Sequence, residues 1–346
     1  MQYQTLPQLD EQVSKICLGT MTWGQQNSES DAHAQMDMAL SEGVNFWDTA
    51  EMYPSPPDKD KQGDTERFMG TWFHKTKQRD KVILASKMSP MDFLREGQTR
   101  YTAEQISSAI DGNLERLQTD YIDIYQLHWP ERQANFFSQR GYNEAMAAQS
   151  LEDLTPFLET IQALNDEIKK GRIRAYGLSN DTAWGLMRYL WEADKNGLIA
   201  PITVQNPYSL LNRLYEVGMA EIAHRENVGL LAYSPLGFGV LSGKYLDGQR
   251  PAGARLTKYE RFARYTNEQA KSATAQYAKI AADAGLDMAQ MALAFVNSRS
   301  FVTSNIIGAS STDQLQSNID SINLTLSSDV LAAIEAVHTQ QPNPSP

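Results

Sequence analysis

The sequence contains a single cysteine, Cys17, in 346 residues, and it has no apolar run near the roughly 18 residues needed to cross a bilayer. One cysteine excludes an internal disulfide framework and fits a reducing compartment. The first residues, MQYQTLPQLDEQ, carry neither the basic region nor the apolar stretch of a secretory signal. We therefore expect a cytoplasmic protein that does not bind membranes.

Several motifs of other enzyme classes are also missing. The five histidines are scattered and form no H-E-x-x-H, so we expect no metal site. No G-x-S-x-G nucleophile elbow occurs. The segment GFGVLSGKY is not a Walker A loop, because Phe238 and Tyr245 stand where glycine and Ser or Thr are needed. It is not a Rossmann fingerprint either, because Ser242 replaces the third glycine.

Positive charge is scarce overall, with 31 Lys+Arg against 42 Asp+Glu and a net charge of -11. Such a surface repels nucleic acid, so we expect no nucleic-acid partner. Residues 244–264 are an exception and suit a concentrated anion. Their six cations are Lys244, Arg250, Arg255, Lys258, Arg261 and Arg264, and their two anions are Asp247 and Glu260.

Eight short apolar runs alternate with segments of helical period, which predicts a parallel sheet closed into a (β/α)₈ TIM barrel, as one domain over residues 1–346. The runs are KICLGT, VNFWD, KVILASK, YIDIYQLH, RIRAYGLS, ITVQNPY, VGLLAYS and NIIGAS. The expected helices are 31–42, 63–77, 102–118, 152–170, 182–195, 213–225, 267–284 and 311–321, with an extra one at 287–299.

Three further segments fall outside the repeated units. Residues 1–13 are expected to form a short hairpin that closes the bottom of the barrel. Residues 129–150 are long enough for an active-site lid. The Pro-rich polar end, HTQQPNPSP, favours disorder. We expect a monomer or a weak homo-oligomer.

In a barrel of this type, reactive groups lie at the carboxyl ends of the strands. The second, third and fourth runs place Asp48 with the nearby Tyr53, then Lys87, then His128 at that end. Each residue alone also fits a structural role, as a cap, a loop anchor, a solvated charge or a hydrogen-bonded histidine. Four such residues on three consecutive strands favour a shared site.

The chemistry of this quartet follows from its charges. A free tyrosine has a pKa of about 10, and a nearby ammonium lowers it. Lys87 would lower the pKa of Tyr53, and Asp48 would hold Lys87 by an ion pair. A neutral His128 would orient a substrate carbonyl, whose developing charge these donors would stabilise. The predicted chemistry is proton donation coupled to attack on C=O.

With the segments LGTMTWG, GLSN, QNPYS, AYSPLGFGVLSGKY and IIGASSTDQLQSNI in order, the quartet resembles the aldo-keto reductases from about Ile16 to Ile322. The similarity is greatest to bacterial Tas-like members, near the branch of potassium-channel β subunits. In that branch a glutamate stands where this chain has Ser317. The resemblance implies a nicotinamide-dependent carbonyl reductase with Tyr53 as the general acid.

The resemblance also implies cofactor contacts, and the basic segment favours NADPH over NADH. Ser179, Asn180 and Gln205 would hold the carboxamide, and Tyr233 would stack on the ring. Further contacts would come from Gly19, Thr20, Met21, Asp48, Ser234, Pro235, Leu236, Gly237, Gly239, Leu241, Lys244, Arg255, Gly308, Ser310, Gln314 and Asn318.

The substrate is expected to be a small carbonyl compound that contacts Trp23, Tyr53, His128 and Trp129. Phe136, Phe137 and Tyr142 would extend an aromatic wall, or they would merely anchor their loop. Two other functions are also possible. One is an NADPH-binding, redox-sensing interaction protein with slow turnover. The other is a barrel isomerase or lyase without a redox cofactor.

Overall fold

The strands of the protein are short and β-branched or aromatic in composition. The computed structural model describes residues 1–6, 8–89, 100–135, 137, 139, 141, 144–259 and 264–346. Its strands are β1 (Tyr3–Leu6), β2 (Glu11–Ser14), β3 (Ile16–Gly19), β4 (Phe46–Asp48), β5 (Ile83–Met88), β6 (Ile122–Leu127), β7 (Ile173–Ser179), β8 (Thr203–Pro207), β9 (Gly229–Tyr233) and β10 (Val302–Ile307).

Strands β3 to β10 correspond to the eight expected runs, and all their pairings are parallel. The strands follow chain order around the barrel, and β10 closes it against β3. The predicted eight-stranded TIM barrel is therefore confirmed.

Helices follow the strands in the expected order. They are α1 (Glu29–Ser41), α2 (Asp64–Thr76), α3 (Ala103–Leu117), α4 (Glu144–Ala148), α5 (Phe157–Lys169), α6 (Ala183–Lys195), α7 (Met219–Glu226), α8 (Arg255–Lys258), α9 (Glu268–Asp283), α10 (Met288–Asn297), α11 (Thr312–Asp320) and α12 (Ser328–Gln340). Within the described ranges, none of them has the length and apolar character of a membrane span.

Two helix boundaries differ from the expectation. The helix expected over 152–170 begins only at Phe157, because Thr155 precedes a proline and is disfavoured in helical geometry. The helix expected over 213–225 is split at Gly218, whose φ of -151° is not helical. A 3₁₀ turn, Leu214–Val217, precedes that break, and α7 follows it.

Side chains alternate between the barrel interior and the helix layer, as strand geometry requires. The interior cluster takes one buried side chain or more from most strands, and the outward residues between them, such as Trp47 and Tyr125, pack under the helices. The interior residues are Cys17, Phe46, Ile83, Ala85, Ile124, Ala175, Leu231 and Ile306.

The expected amino-terminal hairpin is present. Strands β1 and β2 pair antiparallel, with Tyr3 opposite Ser14 and Leu6 opposite Glu11. Leu6 and Val13 are buried in the same cluster as the interior side chains of the barrel. The hairpin therefore closes the end of the barrel opposite the carboxyl ends of its strands.

The carboxyl terminus corrects the expectation of disorder. Ser345 donates its backbone N–H to the carbonyl of Leu211 at 3.0 Å, and Asn343 accepts from the backbone of Arg213 at 2.6 Å. Residues 344–346 are buried. Polar composition alone did not reveal these partners, which lie more than a hundred residues earlier in the chain.

Candidate active site

The alternation along the strands leads directly to the predicted quartet. Beyond Phe46 the next interior position of β4 is Asp48, and beyond Ala85 the next one of β5 is Lys87. On β6 the same face runs through Ile124 and continues two residues at a time to His128. The structure therefore brings these three side chains to one end of the barrel, as predicted.

Asp48 and Lys87 form a fully enclosed ion pair. The Lys87 Nζ lies 2.6 Å from Asp48 Oδ2 and 2.7 Å from the carbonyl of Thr49, and the Lys87 side chain is 0% exposed. Burial lowers the pKa of the Lys87 ammonium, and the charge of Asp48 opposes that shift. Asp48 thus both holds Lys87 in place and keeps it charged.

Tyr53 points back onto this pair. Its hydroxyl lies 3.5 Å from Lys87 Nζ, and the ammonium lies 4.9 Å from the centre of the ring. Burial, followed by the charge of Asp48, raises the pKa of Tyr53 well above 10.0, and Arg255 opposes this. The net shift is therefore upward, opposite to the expected lowering, because burial of the phenol is the largest effect and the charge of Asp48 adds to it.

His128 completes the quartet as a neutral donor. Burial, and then the charge of Lys87, hold its pKa well below 6.5. Its ring stacks on Trp129 at 3.9 Å and meets Tyr53 edge-on at 5.8 Å. Within the described part of the chain, His128 Nδ1 is buried without a hydrogen-bond partner. A protonated phenol and a neutral imidazole therefore stand side by side, which suits polarisation of a carbonyl oxygen.

The sequence candidates do not include Gln126, which the structure places in the same network. Its Nε2 donates to Asp48 Oδ1 at 3.1 Å, beside Gln205 Nε2 at 2.7 Å. Gln126 could have been predicted from the sequence, because it lies two residues before His128 on the interior face of β6. Among the described residues, no three His, Cys, Asp or Glu side chains are grouped like metal ligands.

The residues predicted to hold a carboxamide lie next to the quartet. Asn180 Nδ2 donates to the carbonyl of His128 at 2.9 Å, and Asn180 Oδ1 accepts from the Tyr233 hydroxyl at 2.5 Å. Ser179 Oγ donates to the carbonyl of Gln205 at 2.9 Å. These polar groups lie together beside the quartet, and in this structure their donors bond to one another and to neighbouring protein oxygens.

The first predicted cofactor segment, residues 19–21, lines the same end of the barrel. Thr20 Oγ1 donates to the carbonyl of Asp48 at 2.9 Å, and Met21 packs beside Tyr53. Gly19 lies beside Gly308, where a Cβ at position 308 would meet only the Gly19 carbonyl, at 3.9 Å. The open space at Gly308 allows a ligand to approach the backbone closely.

The loop after β9 turns tightly over Gly237–Ser242, where 3₁₀ turns meet at a kink formed by the left-handed residues Phe238 and Gly239. At Gly239, φ is +91°, a conformation that favours glycine, and the end of the Lys244 side chain lies where a Cβ would be, with Cε 2.6 Å away. Leu241 is fully buried and belongs to the hydrophobic core. The remaining predicted residues of this loop are Ser234, Pro235, Leu236 and Gly237.

Lys244 and Arg255 form a local cationic pair. Burial and the neighbouring charge of Arg255 lower the pKa of the Lys244 ammonium. Lys244 makes no ion pair with any carboxylate in the described ranges. Two cations that repel each other favour a bound anion. Arg261, which the sequence also placed in this segment, lies outside the described residues.

At the far end of the predicted cofactor path, helix α11 begins with the cap Ser311. Ser310 donates through its N–H and its hydroxyl to Gln314 Oε1, at 3.1 and 3.0 Å. Asn318 Nδ2 donates to the carbonyl of Gly308 at 3.3 Å. The four predicted adenosine contacts therefore lie together on one edge of the barrel.

The residues of the predicted substrate wall lie in different environments. Trp129 is half-buried beside His128, and Phe137 meets it edge-on at 6.4 Å. Trp23 is 0% exposed and donates its indole N–H to Gln35 at 3.2 Å, which makes it a core residue rather than part of an open wall. Phe136 and Tyr142 lie outside the described residues.

Comparison with known proteins agrees with this geometry. Residues 15–339 match the profile of the Aldo/keto reductase family. The chain is 50% identical to "Protein tas" of Escherichia coli (strain K12), over the full length of both. It is 30% identical to "Uncharacterized oxidoreductase YrpG" of Bacillus subtilis (strain 168), covering 97% of this chain and 96% of the relative. It is 28% identical to "Probable voltage-gated potassium channel subunit beta" of Oryza sativa subsp. japonica, covering 99% and 98%.

Proposed function

This chain belongs to the aldo/keto reductase family and is an oxidoreductase, and from that premise we propose that it reduces an aldehyde or ketone to an alcohol with NADPH. One observation carries the proposal. The Tyr53 hydroxyl lies beside the buried Asp48–Lys87 pair and next to a neutral His128.

The roles of the chain's residues follow from this geometry. The hydride for the carbonyl carbon would come from a nicotinamide held beside the quartet. His128 donates a hydrogen bond that orients the carbonyl oxygen, and Tyr53 transfers its proton to that oxygen. Lys87 then stabilises the phenolate that Tyr53 becomes, and Asp48 keeps Lys87 in place. The raised pKa of Tyr53 keeps the acid protonated before the reaction.

The residues also fit NADPH as the hydride source. Ser179, Asn180 and Gln205 would hold the carboxamide, while Tyr233 would stack on the ring. The 3₁₀ turn Gly237–Ser242 would follow the pyrophosphate. Lys244 and Arg255 would meet the 2′-phosphate, and Gly308, Ser310, Gln314 and Asn318 would surround the adenosine. Support comes from the neighbouring charges of Lys244 and Arg255, which an anionic phosphate would compensate.

The test follows NADPH oxidation with a panel of aldehydes and ketones, using wild type, Tyr53→Phe and Tyr176→Phe. The control Tyr176 is a buried phenol on β7 whose hydroxyl has no hydrogen-bond partner among the described residues. We expect Tyr53→Phe to lower kcat by at least about 100-fold, the lower range for loss of a general acid, and to leave NADPH affinity nearly unchanged. Tyr176→Phe should retain full activity.

Other outcomes separate the alternatives. Normal turnover by Tyr53→Phe would remove the proton-donor role. Tight NADPH binding with negligible turnover on every carbonyl would favour a redox-sensing interaction protein. If the protein does not bind NADPH but catalyses an isomerisation or a lyase reaction, the isomerase or lyase alternative is favoured.

We also propose a cytoplasmic monomer or weak homo-oligomer. The support is the single, fully buried Cys17 and the strongly acidic composition. Sedimentation velocity at micromolar concentration checks the oligomeric state, and a stable larger assembly would contradict the proposal.

A further inference from the structure

A buried ion pair outside the quartet joins Arg132 to Asp181. Arg132 Nη2 contacts Asp181 Oδ1 and lies 3.1 Å from Thr182 Oγ1. The two charged side chains are only 10% and 3% exposed. The guanidinium also lies 5.2 Å from the centre of the Trp184 ring. Nothing in the proposed chemistry uses either charge directly.

Helix α6 makes room for this pair. A Cβ at Gly185 would overlap both the Arg132 guanidinium and the Asp181 carboxylate. Asp181 Oδ1 also accepts from the backbone N–H of Thr182 at 2.7 Å, and Thr182 caps the helix. The first turn of α6 is therefore shaped around the ion pair.

The pair links the two loops that carry His128 and Asn180. Arg132 comes four residues after His128, and Asp181 directly follows Asn180. A second link runs in parallel, from Asn180 Nδ2 to the carbonyl of His128 at 2.9 Å. A third fastens Asp181 to Asn206, through bonds of 3.2 and 2.8 Å. The loop after β6 is thereby fixed to the loop after β7 and to the carboxyl end of β8.

Asn180 needs such support. Its φ of +53° is left-handed, a conformation that residues with a Cβ adopt less readily than glycine, although asparagine tolerates it better than most. Conformations of this kind persist only where the surroundings hold them. In this conformation one amide meets both the His128 carbonyl and the Tyr233 hydroxyl.

We propose that Arg132 and Asp181 are positioning residues that hold Asn180 in its left-handed conformation and thereby preorganise the nicotinamide side of the site. The inference rests on the proposed function. A loss of either charge leaves its partner buried and uncompensated, so the loop after β6 and Asn180 shift together. The consequence is weaker NADPH binding, not only lower stability.

The experiment compares Arg132→Met with Arg79→Met. Arg79 pairs with Asp123 at 2.8 Å and is 12% exposed, close to the burial of Arg132, but it lies near the amino-terminal ends of β5 and β6. Both variants should lower the midpoint of urea unfolding. Only Arg132→Met should weaken NADPH binding, measured by fluorescence, and lower kcat/KM, by up to about 100-fold if the misplacement reaches about 1 Å.

Two further variants keep the test decisive if Arg132→Met fails to fold. Gly185→Ala retains both charges but displaces them, and it should weaken NADPH binding in the same direction. Asp181→Asn keeps the oxygen that accepts from Arg132 and Thr182, so it should retain more NADPH affinity than Asp181→Ala.

The outcomes separate this inference from the proposed function. If wild type does not bind NADPH, both are overturned. If wild type binds NADPH, and Arg132→Met and Gly185→Ala bind it equally tightly, only the positioning role is overturned. Equal losses of NADPH affinity in Arg79→Met and Arg132→Met would also overturn it, because they would show a general effect of destabilisation.

Discussion

His128 is the residue whose protonation most directly couples the site to pH. Its folded pKa is held well below 6.5 by burial and by Lys87, whereas in the unfolded chain it returns to an ordinary value. Between these two values the unfolded chain binds more protons than the folded one. The stability that His128 contributes is therefore complete above about pH 6.5 and is lost as the pH falls towards the folded pKa.

We predict that lowering the pH from about 7.5 to about 5.5 destabilises wild type more than His128→Gln. The difference in the free energy of unfolding should approach about 1.4 kcal/mol, the value for one pH unit below an unperturbed histidine. Urea unfolding of both proteins at the two pH values measures it. An equal loss in both proteins would mean that His128 titrates normally in the folded state.

A second residue, Lys244, should distinguish NADPH from NADH. Its ammonium makes no ion pair with a described carboxylate and lies near Arg255, so a 2′-phosphate would relieve their repulsion. We predict that Lys244→Met weakens the binding of NADPH by about ten-fold, which corresponds to about 1.4 kcal/mol and is near the value of one charge-assisted hydrogen bond. The binding of NADH should weaken much less. Lys258→Met, on the exposed face of α8, is the control.

Titration of protein fluorescence with each cofactor gives the four dissociation constants needed. Equal weakening of NADPH and NADH by Lys244→Met would remove the 2′-phosphate role from this lysine. If Lys258→Met also weakened NADPH binding more than NADH binding, the effect would come from the overall positive charge of the segment rather than from a specific contact.

Among the elements, α9 and the carboxyl-terminal tail share one anchor, Asn267. Its Oδ1 accepts from Ala270 N at 3.0 Å and caps α9, while its Nδ2 donates to the carbonyls of Pro344 at 2.9 Å and Arg264 at 3.1 Å. We predict that Asn267→Ala lowers the free energy of unfolding by about 1–2 kcal/mol, because it removes the cap as well as the anchor.

Asn267→Asp separates the two roles, since a carboxylate keeps the cap acceptor but cannot donate. Its unfolding free energy should fall less than that of Asn267→Ala, while its tail is trimmed by carboxypeptidase as fast as in Asn267→Ala. If the tail of Asn267→Asp were digested no faster than that of wild type, Asn267 would not anchor the tail.

The elements also show what a sequence can and cannot predict. Alternating strands and helices predicted the barrel, because burial on both faces of a parallel sheet leaves apolar runs that are easy to recognise. Helix α12 was not predicted, although Ser327 caps an apolar-periodic segment there. The tail was misjudged because its hydrogen-bond partners, near Leu211 and Asn267, are local in space but remote in sequence.

The same distinction holds within the site. Asp48, Lys87 and His128 were predictable because strand ends of a barrel converge, and each ends a recognisable run. The direction of the Tyr53 pKa was not, because it depends on how deeply the phenol is buried and on the charge of Asp48 beside it. Arg132 and Asp181 gave no local signal, since only the folded chain brings residues 49 positions apart into contact.

For the whole molecule, the two ends of the barrel divide stability from chemistry. The amino-terminal hairpin closes one end with Leu6 and Val13, while Asp48, Lys87 and His128 occupy the other. In a (β/α)₈ barrel, alterations at the bottom face are expected to change stability and those at the top face to change activity.

We therefore predict that Leu6→Ala, at a side chain only 3% exposed, lowers the free energy of unfolding by about 2–5 kcal/mol through the cavity it leaves. NADPH affinity and kcat should remain within about two-fold of wild type at temperatures where the variant is folded, because the rigid interior separates the two ends. Urea unfolding and cofactor titration on the same preparation measure both effects. A parallel loss of NADPH affinity would mean that the hairpin is coupled to the mouth through the barrel interior. The first links to examine would then be Phe46 and Ala85, which lie between the hairpin and the Asp48–Lys87 pair.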